Sequence, residues 1–182
     1  MTLGPGIALG VAAVTLVIFV VAAGFAFRQP GGAPVGLNLV KLTGPLSCGL
    51  LIWSLAVARV GLGWSLAGAA LMGSALALFL WALLANRPRP LSRIYCDDAP
   101  VHLQTAGPYR FVRHPCYSAY LLAFLGGVVA SHHLAAVVVL LGNAALYVHA
   151  ARFEERKFAA GPLAADYAAY RARTGGFIPW RG

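Results

Sequence analysis

LGPGIALGVAAVTLVIFVVAAGFAF, residues 3 to 27, carries no charged side chain, and the first charge after it is Arg28. A bilayer core of about 30 Å takes about 20 apolar residues of helix to cross, so this run is long enough. It lacks a basic leader and is therefore expected to be a retained helix rather than a cleaved signal. Further apolar runs occupy 43–58, 61–85, 116–130 and 133–151, the second beginning earlier if Lys41 snorkels toward headgroups. The last two are separated only by Ser131, His132 and His133, which predicts a tight helical hairpin. Over the whole chain 60% of residues are apolar and 10% are charged, too little polar surface for a soluble domain. The expected fold is all-α and integral to a membrane, with five transmembrane helices in one domain over residues 1–182. Its polar mass falls in a loop, 86–117, and a tail, 152–182.

The cations set the expected orientation. Arg28 and Lys41 follow the first run; Arg87, Arg89, Arg93, Arg110 and Arg113 follow the third; Arg152, Arg156, Lys157, Arg171, Arg173 and Arg181 follow the fifth. With five spans all of these share one face, and Arg59 alone lies on the other. The basic face is expected to be cytoplasmic, in a bacterial inner membrane or an internal membrane, with the N-terminus outside. This asymmetry and contact with anionic headgroups account for the net charge of +9 without nucleic acid. Cys48, Cys96 and Cys116 are widely spaced and form no CxxC pair, so neither a disulfide nor a metal site is expected.

The stretch GPYRFVRHPCY, residues 107–117, is too polar to cross a bilayer and runs into the fourth span. Pro115 suits a first helical turn, which places Arg113 and His114 near a helix N-terminus, where free N–H groups and the dipole favour anions. Span five ends in YVHAARFEERKF, so Glu154 and Glu155, two of the chain's five acids, emerge on the same side. The polar equipment therefore converges on one wet rim of an apolar bundle.

At this point a resemblance becomes visible. GPYRFVRHPCY followed by the Glu154–Glu155 pair resembles the RHPxY…EE signature of the isoprenylcysteine carboxyl methyltransferase family, whose relatives include membrane phospholipid and bacterial thiol methyltransferases. The likeness extends back to HLQTAGPY (102–109) and forward to DYAAYRARTGGFIP (166–179), covering roughly residues 101–180. It implies S-adenosylmethionine as cofactor, held by Val101, His102, Leu103, Gln104, Tyr109, His114, Pro115, Cys116, Tyr117 and Glu155. The cofactor site would then be formed by the cytoplasmic loop and a C-terminal helix. The arginine that contacts substrate in many members would stand at Ala151; Arg152, one place on, is the candidate here. Val101 and Gln104 also replace the family's usual residues at the ends of the 101–104 stretch.

The residue types suit that chemistry. A carboxylate such as Glu155 accepts from an ammonium or a ribose hydroxyl, and tyrosines and histidine offer ring faces and hydrogen bonds. In-line methyl transfer from a sulfonium to an anion cancels charge, so a dry site with good positioning favours it. Arg113 is the candidate for orienting an anionic acceptor. The acceptor is expected to be lipophilic: the carboxylate of a prenylated cysteine, or an amine or thiol on another lipophile. No soluble dinucleotide-type domain fits in the residues left over by five spans, and no G-x-G-x-x-G follows a strand pattern.

Plainer readings stand beside these. Arg152 and Glu155 fit an i,i+3 surface pair, and Tyr167, Tyr170 and Trp180 fit interfacial anchors. GIALG (6–10) fits small-xxx-small packing; Asn143 and His149 fit polar contacts inside the bundle. Two rival functions remain: an NADPH-dependent sterol-type reductase, and an inactive protein of the same fold. Reductases with RHPxY typically carry asparagine at x and an acid soon after, where this chain has Cys116, then Ser118, Ala119 and Tyr120. The residues at 101 and 151 keep the inactive alternative open.

Overall fold

The computed structural model describes residues 3–25, 35–87 and 102–179, with side chains of 23–25 and 35–41 outside that set. Among these residues the chain folds into helices α1 (Leu3–Phe25), α2 (Val35–Ala56), α3 (Leu62–Asn86), α4 (Pro115–Ser131), α5 (Leu134–Ala159) and α6 (Ala164–Arg171). A 3-10 turn, Gly107–Arg110, precedes α4, and one parallel bridge joins Val112 to Gly175. Helix is the natural outcome for such apolar runs, because lipid cannot satisfy backbone groups left without an internal partner.

Among the described residues three helices are long and apolar enough to cross a membrane: Leu3–Ala22, Leu62–Asn86 and Leu134–Ala159. Leu42–Ala56 and Pro115–Ser131 are shorter apolar helices. α2 begins at Val35, ahead of the expected 43. α5 continues to Ala159, beyond the expected 151, so what reads in sequence as the start of the tail is its last two turns. With 26 residues α5 is about 39 Å long, more than a bilayer core of about 30 Å requires. Its FEERKFA end therefore stands clear of the apolar part.

Each long helix buries one narrow stripe. On α1 this is Ala8, Ala12, Thr15, Leu16 and Phe19; on α3 it is Ser65, Gly68, Ala69, Met72, Ala75, Phe79, Ala82 and Asn86. The opposite faces are also apolar and stay exposed, among them Val14, Val17, Val20 and Val21 on α1, Leu80 and Leu84 on α3, and Val138 and Leu141 on α5. Water would not tolerate so large an apolar surface, whereas lipid does.

α3 and α4 share the most extensive contact in the bundle. A Cβ at Gly68 would lie 2.5 Å from both the Gly126 carbonyl oxygen and the Ala130 Cβ, and one at Gly127 would lie 2.0 Å from Leu51 Cδ1. Only hydrogen fits at these crossings. The expected packing glycines of GIALG do not serve this purpose: a Cβ at Gly6 or Gly10 would meet nothing within 4 Å among the described residues. Ala8 and Ala12, on the neighbouring stripe, make the contact instead.

Asn143 is buried in α5 and donates to Ser47 Oγ (2.9 Å) and to the Val139 carbonyl (2.8 Å), so its role is a packing hydrogen bond to α2. His149, expected inside the bundle, is exposed. At the α4–α5 turn His132 adopts φ 51° to close α4, and His133 Nδ1 accepts from the Ala135 amide at 3.1 Å to cap α5. Trp64 and Trp53 meet these two imidazoles edge-on, at 4.8 and 4.7 Å between centroids. The histidines at this rim are thus occupied in turning the chain.

Candidate functional site

The opposite rim is built around the loop that leads into α4. Gly107 has φ +60°, and a Cβ there would approach Ala85 Cβ to 2.9 Å, so glycine alone lets the loop lie against the end of α3. Gln104 is engaged in the same junction: its Nε2 donates to the Ala85 carbonyl at 2.6 Å, and its Oε1 accepts from the Ala106 amide at 3.1 Å. Tyr109 follows, buried, with its hydroxyl accepting from Asn86 Nδ2 (2.8 Å) and its carbonyl accepting from the Tyr170 hydroxyl (2.7 Å). The Cys116 thiol lies 3.9 Å from the Tyr109 hydroxyl.

After the 3-10 turn the chain runs alongside the tail. The Arg113 amide donates to the Gly175 carbonyl (2.8 Å), the His114 amide to the Gly176 carbonyl (3.1 Å), and the Gly175 amide to the Phe111 carbonyl (3.2 Å). Pro115 then opens α4, in the first-turn position expected of it.

Five ionisable side chains meet here. Arg113 Nε donates to Glu155 Oε1 at 2.9 Å, with the two side chains 13% and 18% exposed. His114 Nε2 lies 3.2 Å from the same oxygen, while its Nδ1 lies 3.5 Å from Glu154 Oε2. The Tyr117 hydroxyl donates to the other oxygen of Glu154. Two carboxylate acceptors on the two ring nitrogens call for two N–H donors, and the imidazolium supplies both. Burial pushes the His114 pKa down, but hydrogen bonds to Glu154 and Glu155 outweigh it, and the net shift is upward. For Glu155 burial pushes upward and is overcome by hydrogen bonds from His114 and Arg113 and by the Arg113 charge, which hold the carboxyl at about 2.

Aromatic rings continue from this cluster into the bundle. His114 stacks on Tyr117 (5.6 Å, 12°) and Tyr117 on Tyr147 (5.1 Å, 5°), while Tyr120 packs against Tyr147 at 5.5 Å. Phe177 of the tail lies 5.7 Å from His114. The charged rim is thereby joined to an apolar, ring-lined interior.

The fold gathers Arg113, His114, Tyr117 and Glu155 into one cluster and sets Tyr109, Pro115, Cys116 and Gln104 directly behind it. His102 and Leu103 are half-buried on the approach, and His102 Nε2 is buried without a hydrogen-bond partner among the described residues. Val101 lies outside the described residues. Arg152 is exposed on α5 and joins none of these contacts, whereas Ala151 beside it is buried. Sequence reasoning did not single out Tyr147, Asn86, Thr174 or Phe177, and it assigned no role to Glu154. The two tail residues had one visible signal, the Gly175–Gly176 pair that lets the tail backbone come against the motif.

The donor set suits an amino-acid nucleoside carrying both charges. Glu155 and Glu154 are acceptors, stacked rings offer flat faces, and the Tyr167 hydroxyl is buried beside Glu155. A hydroxyl so placed can turn to a ligand as donor or acceptor. Among known proteins, a family model described as phospholipid methyltransferase matches residues 64–161. That range holds most of α3, all of α4 and α5, the RHPCY motif and both glutamates, and stops before α6 and the tail. No curated protein and no solved structure matched the chain.

Proposed function

The chain belongs to the phospholipid methyltransferase family and is a membrane methyltransferase, and from that premise we propose that it transfers a methyl group from S-adenosylmethionine to a lipophilic acceptor at the Arg113–His114–Glu155 rim. The observation that carries this reading is the convergence of RHPCY and the acid pair on a wet rim that continues inward as stacked tyrosines. In this proposal all five apolar helices span the bilayer and the basic rim faces the cytoplasm.

When bound, S-adenosylmethionine supplies a methyl group activated on a sulfonium. The residues that would hold it are those of the motif and the acid pair: His114, Pro115, Cys116, Tyr117 and Glu155, with Tyr109, His102, Leu103 and Gln104 behind them and Tyr167 opposite. Glu155 stays ionised throughout the physiological range because Arg113 and His114 hold its proton off. It can therefore accept hydrogen bonds from the cofactor without first losing a proton. Tyr117 and Tyr147 exclude water from the inner side, which strengthens each remaining electrostatic contact.

Arg113 enters the proposal in an altered role. Its Nε faces Glu155 and its Nη1 donates to the carbonyls of Thr174 and of Arg171 (3.4 Å). A guanidinium so engaged positions the site and leaves little of its fork for an anionic acceptor. The apolar interior and its access from the bilayer then favour an acceptor with a lipophilic body, whose reacting group is a carboxylate, amine or thiol.

The test is calorimetric binding of S-adenosylmethionine, and separately of NADPH, to the purified protein in detergent. Methyl-donor binding without an NADPH response is expected. NADPH binding alone would refute the proposal in favour of a reductase, and no binding by folded protein would assign an inactive scaffold. A set of lipophilic acceptors with carboxylate, amine or thiol termini then identifies the acceptor, a prenylated cysteine among them.

A further inference from the structure

The tail lies beyond the region matched to the family, yet it touches Arg113, His114 and Tyr117 of the cluster. Besides the three backbone hydrogen bonds with residues 111–114, the Ser118 hydroxyl sits 2.6 Å from the Phe177 carbonyl, to which it donates. The Phe177 ring packs on His114 and lies 6.4 Å from Tyr117. Thr174 and Arg171 present carbonyls to Arg113, and the Thr174 hydroxyl donates to the Tyr170 carbonyl at 2.8 Å. Tyr170 in turn holds the Tyr109 carbonyl. Thr174 and Gly175 are buried.

From this lacing we infer that Thr174–Phe177 is a positioning strap, which holds the Arg113 guanidinium on Glu155 and so sets the carboxylate at which the methyl donor is bound. The inference rests on the proposed donor site. Its physical basis is donor geometry. Arg113 has a rigid fork, and with Nη1 held on the Thr174 carbonyl of the strap its Nε is directed at Glu155. Loosening the strap withdraws the Thr174 carbonyl and leaves the guanidinium only the longer Arg171 contact beside Glu155, so that it swings more readily into solvent. Glu155 would then keep only His114 as a partner. The charged or titratable groups facing Glu155 are Arg113 and His114 from the motif and Tyr167 from α6, while Glu154 on its own helix shares His114 with it.

The test measures S-adenosylmethionine affinity of the full chain in detergent, from pH 7 down to pH 4, for the unaltered protein, Phe177→Tyr, Ser118→Ala and Ser118→Ala/Phe177→Ala. The double variant is expected to bind at least about ten-fold more weakly at pH 7, the scale of one lost hydrogen bond to a charged group. Its affinity is also expected to fall further between pH 5 and 4, where the unaltered protein stays flat, because Glu155 without Arg113 titrates nearer its ordinary value. Phe177→Tyr retains the ring and should keep both the affinity and the flat acid limb of the unaltered protein. Should the double variant not fold, Ser118→Ala carries the same comparison with a smaller effect.

Unchanged affinity in a folded strap variant would overturn the strap while leaving the donor reading intact. A loss at pH 7 with no change in the acid limb would also overturn it, since the strap would then touch the donor instead of placing Glu155. Absence of binding in the unaltered protein would overturn the donor reading and the strap's role together.

Discussion

Replacing Glu155 with glutamine removes one charge from the rim and little else. The carboxylate accepts from Arg113 Nε at 2.9 Å and lies 3.2 Å from His114 Nε2, with 18% of its side chain exposed. Its proton affinity falls from an ordinary 4.5 to about 2 on folding, which corresponds to roughly 3 kcal/mol of differential stabilisation. Solvent screening at a partly exposed site reduces this, and about 2–3 kcal/mol is the expected loss at pH 7. The loss is local, because the apolar crossings of α1 to α5 do not depend on it. Hydrogen exchange is therefore the appropriate assay. The amides of Arg113, His114 and Gly175, which join the motif to the tail, should exchange roughly thirty- to a hundred-fold faster in Glu155→Gln, with α3 amides unchanged. The sign with pH is fixed by the lowered value: the stabilisation is present above about 4.5 and is lost as pH falls toward about 2. Protection in the unaltered protein should decline over that interval and stay level in the variant. Exchange at these amides within three-fold of the unaltered protein would refute the ion pair as the clasp of this rim.

His114, whose pKa is raised, behaves oppositely: its contribution is full below about 6.5 and is lost as pH rises through its folded value, and titration of its imidazole proton resonances should show the upward shift. Gly68→Ala places a methyl 2.5 Å from the Gly126 carbonyl oxygen and should lower the thermal midpoint in detergent by an amount equivalent to about 1–3 kcal/mol. Gly10→Ala, with open space around it, should leave the same midpoint unchanged. Arg113→Ala should weaken S-adenosylmethionine binding through release of Glu155, whereas Arg152→Ala, exposed and outside the cluster, should bind as the unaltered chain does in the same calorimetric titration.

The helical, membrane-embedded character of this protein was legible in the sequence because it follows from local quantities. A long uncharged run such as 3–27 has one stable backbone conformation in lipid, whatever it packs against. RHPCY and the two glutamates were legible for a related reason: charged groups are so scarce in this chain that those at one rim stand out. Helix packing was not. GIALG and the region around Gly126 look alike as strings, and only the crossing of α3 and α4 decides which glycines a methyl would exclude.

The tertiary structure alone decided how the cluster is wired. Sequence offered Arg113 as a free cation for an acceptor, but the tail brings carbonyls to Nη1 and α5 brings Glu155 to Nε. It offered Arg152 as a candidate beside Ala151, but the turn of α5 buries one and exposes the other. Which partner a charge finds depends on segments some forty to sixty residues apart meeting in space, and no local pattern encodes that distance.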